Sequence, residues 1–91
     1  MTAYKVRHKA SGLYYKPGQT NLDKKGKLYP SKATVLSMCG EHTVTITVMK
    51  RSRIYSEYID MFKGWDERYD YVVGYFKADD FELVEIPINV E

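Results

Sequence analysis

Ninety-one residues, 44% hydrophobic and 14% aromatic with 29% charged, suffice for one core and not two, so a single domain over 1–91 is expected. That apolar share excludes a disordered chain, and no apolar run approaches the roughly 18 residues of a membrane helix. The net charge of +2 hides a division at Arg53: residues 1–53 carry eleven Lys and Arg against Asp23 and Glu41, a net of +9, whereas residues 54–91 carry Lys63, Arg68 and Lys77 against ten carboxylates, a net of −7. Such asymmetry predicts a basic contact surface for a polyanion, unless the halves interleave in the fold and their charges mix.

Residues 3–9 alternate, with Tyr4, Val6 and His8 on one side and Lys5, Arg7 and Lys9 on the other, the pattern of a half-buried strand with a basic ladder toward solvent. Ala10, Ser11 and Gly12 supply a turn, and residues 13–16 read as the returning strand of a hairpin that Pro17 and Gly18 end. Residues 18–27 form a polar surface loop bearing Lys24, Lys25 and Lys27, after which Leu28 and Tyr29 rejoin the core. Ser31 after Pro30 suits a helix N-cap, with Gly40 as a stop, so a helix is predicted over residues 32–38.

Residues 43–50, TVTITVMK, place Val44, Ile46 and Val48 on one face and threonines on the other, predicting a central strand. Ser52 can cap a second helix in which Ile54, Tyr55, Tyr58, Ile59 and Phe62 share one stripe, with Gly64 as its stop. Residues 69–77 and 81–90 then read as two strands joined across Ala78, Asp79 and Asp80, a C-terminal hairpin whose last strand, with Pro87, Glu82 and Glu85, is an edge. The expected class is α+β, a small antiparallel sheet of about five strands with one or two helices.

Catalytic chemistry finds little footing. Cys39 and His42 stand in C-x-x-H spacing, but with His8 the only other histidine and no second cysteine, no metal site is expected. Nor does a third group orient a Cys–His nucleophile. Glu57 and Asp60 are most simply a solvated helix face, and no phosphate-cradling glycine loop or nucleophile elbow occurs. A non-enzymatic protein without cofactors is expected. The single cysteine suits a reducing cytosol, and no leader-like segment precedes the first strand.

The constellation that remains is basic and aromatic. Lys5, Arg7, Lys9, Lys16, Lys24, Lys25 and Lys27, with Tyr14 or Tyr15 among them, form a candidate nucleic-acid surface in which unstacked bases rest on tyrosine and cations track phosphates. The competing reading makes the tyrosines half-buried sheet residues and the lysines mere solubilisers.

The runs Tyr4-Lys5-Val6-Arg7-His8-Lys9, Ser11-Gly12-Leu13-Tyr14 and Lys24-Lys25-Gly26-Lys27-Leu28-Tyr29-Pro30-Ser31 resemble small accessory proteins of large tailed bacteriophages, over about the first third of the chain. The resemblance implies expression in the host bacterial cytoplasm and a role in host takeover or in defeating host defence, and the absence of a long apolar run leaves no membrane partner expected. A basic protein of this size is similar to the toxin-inhibitory factors that neutralise the endoribonuclease toxin of an RNA-antitoxin (type III toxin–antitoxin) system, acting with RNA as a homodimer. The expected function is therefore RNA binding against a host toxin or other defence protein. The alternatives are a protein-only inhibitor that mimics nucleic acid with Asp79, Asp80, Glu82 and Glu85 of the C-terminal hairpin, and a minor virion component.

Overall fold

A computed structural model describes residues 2–31 and 43–88. The helix expected over residues 32–38, Cys39 and His42 lie outside them. The alternating start forms β1 (Thr2–His8), which pairs antiparallel with the short β2 (Tyr14–Tyr15), itself paired with β3 (Leu22–Asp23). On its other side β1 takes the last strand, β7 (Phe81–Pro87), over the whole register from Thr2↔Pro87 to His8↔Phe81. The sheet order is β3-β2-β1-β7, so the last strand is an edge as expected.

A second antiparallel sheet holds β4 (Val44–Met49), β5 (Asp66–Arg68) and β6 (Tyr71–Phe76) in the order β4-β6-β5. The alternation of β4 is as read, with Val44, Ile46 and Val48 buried, but the strand is not central. Its outer edge is covered by a loop: Asn21 N–H donates to Thr47 O at 2.8 Å, and Thr47 N–H donates to Asn21 Oδ1 at 2.8 Å. Met49 N–H donates to Thr20 Oγ1 at 3.2 Å. Polar loop residues thus supply the partners that a neighbouring strand would.

The expected C-terminal hairpin does not form. A 3-10 turn, Ala78–Asp80, sends the chain from β6 in one sheet to β7 in the other. Phe81 then packs on Phe76 at 5.9 Å and on His8 at 5.3 Å, so aromatic burial between sheets outcompetes pairing of adjacent strands. The α+β class holds broadly, with seven strands in two sheets among the described residues rather than about five in one.

Val6, Leu13 and Leu22 of the first sheet and its loops meet Val44, Ile46, Val48 and Val72 of the second in one core. Val6, Leu22, Ile46 and Val48 have no exposed surface, and burying such side chains is worth about 1.5–3 kcal/mol each. Ser52 caps the one helix among the described residues, α1 (Arg53–Glu57), accepting from Tyr55 N–H at 3.2 Å. The helix is shorter than its stripe predicts. After Tyr58 the bonds tighten to three-residue spacing, Met61 N–H to Tyr58 O and Phe62 N–H to Ile59 O, and Ile59 is left 50% exposed. Tyrosine and β-branched isoleucine hold a helix weakly, so the packing of Ile54 and Phe62 decides the path.

Candidate nucleic-acid interface

Pairing β1 with β7 brings the basic and acidic halves of the chain together. Arg7 is the register partner of Glu82 and forms an ion pair with it. Lys24 pairs with Glu57 at 2.7 Å, and Lys50 pairs with Glu67. The charge division in the sequence is therefore substantially mixed in the fold, and the basic ladder of β1 is only half exposed. Lys5 Nζ lies 4.9 Å from the centroid of the Tyr14 ring, and the buried Arg7 Nε has no hydrogen-bond partner among the described residues. Lys27 Nζ lies 5.4 Å from the Tyr29 ring. Gly26, with φ of 70°, sits where a Cβ would overlap Tyr14, which holds the lysine-bearing loop against the sheet.

Three of the expected cations do converge. Lys16, Lys24 and Lys25 line an open cleft of about 530 Å³ with Thr20, Asp23, Ser52, Arg53, Ile54 and Glu57. Two separate stretches build it: the loop around β3 and the start of α1. Four cations face two carboxylates there. Lys16 pairs with Asp23 at 3.1 Å, while Lys25 N–H donates to Asp23 Oδ1 at 2.7 Å. That backbone bond, aided by the Lys16 ammonium, holds the Asp23 carboxyl below its ordinary 3.8. The Glu57 carboxylate, by hydrogen bond and charge, raises the pKa of Lys24 above 10.5. Both groups stay ionised at neutral pH. Tyr14 is the register partner of Asp23, so the Lys5–Tyr14 pair continues from the cleft along the sheet.

Lys9 belongs elsewhere. It lines a second cavity of about 460 Å³ with His8, Ala10, Met61, Trp65, Phe76 and Asp80. His8 is 3% exposed; its ring meets Phe76 edge-on at 4.8 Å, and its Nδ1 stands 2.8 Å from Ser11 Oγ. Ser11 Oγ also accepts from Leu13 N–H at 3.2 Å, so this one hydroxyl ties the imidazole to the turn that follows β1. Burial lowers the His8 pKa from 6.5, an effect the Asp80 charge partly opposes.

Sequence reasoning missed Arg53, Trp65 and His8 as site residues. Arg53 counted among the basic half, but nothing in the spacing tied it to a loop some thirty positions earlier; His8 read as one side of the first strand and as too lone a histidine for a metal site, and Trp65 carried no reading. Among the described residues no group of three or more His, Cys, Asp or Glu is placed to hold a metal ion, and no helix is long and apolar enough to cross a membrane. No known protein family, curated protein or solved structure matches the chain.

Proposed function

We propose that this protein binds single-stranded RNA, without catalysing a reaction, through the cleft between the β3 loop and α1. The observation that carries this reading is the convergence of Lys16, Lys24, Lys25 and Arg53 on one open cleft from two separate stretches of chain. Its ion pairs do not close the cleft to phosphate. Exposed pairs contribute only about 0–1 kcal/mol, and the Lys24 and Glu57 side chains are 61% and 44% exposed, so phosphate oxygens can replace the carboxylates at little cost. A flexible single strand suits this surface better than a rigid duplex, because its phosphates can follow an irregular open cleft while its bases reach Tyr14.

In the phage setting that the sequence resemblance implies, such a protein would act with RNA against a host ribonuclease toxin in the bacterial cytoplasm, as a homodimer. The competing acidic-hairpin reading is less favoured: β6 and β7 belong to different sheets, and Glu82 pairs with Arg7.

Fluorescence anisotropy with labelled single-stranded RNA tests the reading. Lys24→Glu combined with Lys25→Glu should weaken binding at least about tenfold at low salt. Melting should change little, since both side chains are exposed. Equal affinity of wild type and variant would refute the cleft as the binding site.

A further inference from the structure

The second cavity has a different character from the cleft: aromatic walls with one cation and one carboxylate at the rim. Its walls are His8, Phe76 and Trp65, with Met61 beside them. Trp65 and Phe76 meet edge to face at 5.2 Å, and Trp65 rests on Phe62 at 4.8 Å, so the wall is braced by rings on its inner side. Its volume of about 460 Å³ falls within the roughly 300–1,000 Å³ of small-ligand sites.

Backbone bonds fix the rim. Lys9 N–H donates to Asp80 O at 3.0 Å, which ties the two charged residues to each other. Lys77 N–H donates to Asp80 Oδ2 at 2.9 Å, and Asp80 N–H returns a bond to Lys77 O at 3.0 Å. Oδ1 has no hydrogen-bond partner among the described residues. A carboxylate and an ammonium thus share the lining of one aromatic-walled cavity.

The geometry points to this cavity as a pocket for one unstacked guanine base. Guanine presents two neighbouring donors, N1–H and N2–H, which a carboxylate such as Asp80 accepts as it accepts the parallel donors of arginine. Along the same rim of the base follow the O6 and N7 acceptors, which a lysine ammonium such as Lys9 contacts. Trp65, which is only half-buried, supplies the stacking surface, and the buried His8 ring closes the cavity behind it. Adenine places an acceptor where guanine has N1–H, and uracil sets carbonyl oxygens on both sides of its one N–H, so each loses a bond to Asp80. The pocket deepens the RNA-binding reading and rests on it for the source of the base, but it shares no lining residue with the cleft.

Trp65 is the only tryptophan, so its fluorescence reports this pocket directly. The full chain is titrated with GMP, AMP, CMP and UMP, corrected against free tryptophan amide, and then with an oligouridine strand with and without one guanosine. Saturable quenching by GMP is expected at a concentration about tenfold below that needed for UMP. The guanosine-bearing strand should quench where plain oligouridine does not; GMP quenching without any effect of the strand would overturn the RNA source of the base. Asp80→Asn and the solvent-exposed Lys9→Ala should each remove about tenfold of the GMP preference, with circular dichroism confirming the fold. Equal quenching by all four nucleotides, none by GMP, or a preference unchanged in Lys9→Ala would overturn the assignment. The Lys24→Glu, Lys25→Glu protein should keep GMP quenching while losing RNA affinity, so the pocket and the cleft fail separately.

Discussion

The Trp65 indole, together with the Phe76 ring, occupies the space that a side chain at Gly74 would need: a Cβ there would stand 2.7 Å from indole Cδ2 and Cε2 and from Phe76 Cε2. Gly74 faces Ile46 in the β4–β6 register, so the missing side chain leaves a notch in the core face of the sheet that the tryptophan fills. Gly74→Ala is expected to cost about 1–3 kcal/mol through overpacking, and to shift Trp65 emission to longer wavelength as the ring moves toward water. Thermal melting and emission spectra check this together. A variant as stable as wild type with unchanged emission would show that the notch does not hold the ring.

Asn21 joins the loop to the free edge of β4 by two bonds to Thr47, and its Nδ2 donates to Lys16 O at 3.3 Å and Gly18 O at 3.0 Å. Asn21→Ala leaves Thr47 N–H without its acceptor, which should cost about 1–3 kcal/mol. Because the same loop positions Lys16 at the cleft, the variant should also bind RNA more weakly. Urea unfolding and anisotropy give the two readouts, and a loss of less than about 0.5 kcal/mol would mean that water replaces the side chain.

The strands β1, β4 and β6 and the Ser52 cap were legible because alternation and capping are local. The two-sheet arrangement was not: whether residues 81–87 turn back on β6 or cross to β1 depends on aromatic contacts among His8, Phe76 and Phe81, which no spacing along the chain expresses. The candidate site divides in the same way. Lys16, Lys24 and Lys25 could be nominated from composition, but their meeting with Arg53 is a product of tertiary packing, as is the diversion of Arg7 to Glu82.

His8 gives a pH dependence with a definite sign. Burial holds its folded pKa below 6.5, so the unfolded chain takes up the proton more readily. The stability due to neutral His8 is complete above 6.5 and is lost as pH falls through the lowered folded value. Asp23, whose pKa is lowered from 3.8, loses its own contribution only in more acid solution. Melting temperatures at about pH 7.5 and about pH 5 should therefore fall more steeply for wild type than for His8→Gln, whose side chain does not titrate. Identical slopes would remove His8 as the origin.

Glu57 tempers the cleft by holding Lys24. Glu57→Gln removes one of two lining carboxylates and frees an ammonium, and RNA affinity at low salt should rise by about threefold to tenfold. Stability should move by less than about 1 kcal/mol, as for other exposed pairs. Weaker RNA binding by the variant would mean that Glu57 positions Lys24 for its ligand rather than competing with it.

The most direct test of the central claim is the salt dependence of single-stranded RNA binding to the wild-type protein. Contact between Lys16, Lys24, Lys25 and Arg53 and the phosphates should give a log–log slope of about −2 to −3, since each phosphate neutralised on a single strand adds about −0.7. The Lys24→Glu, Lys25→Glu protein should show a slope nearer zero. No binding at low salt, or a slope that the double variant leaves unchanged, would contradict RNA recognition by this cleft.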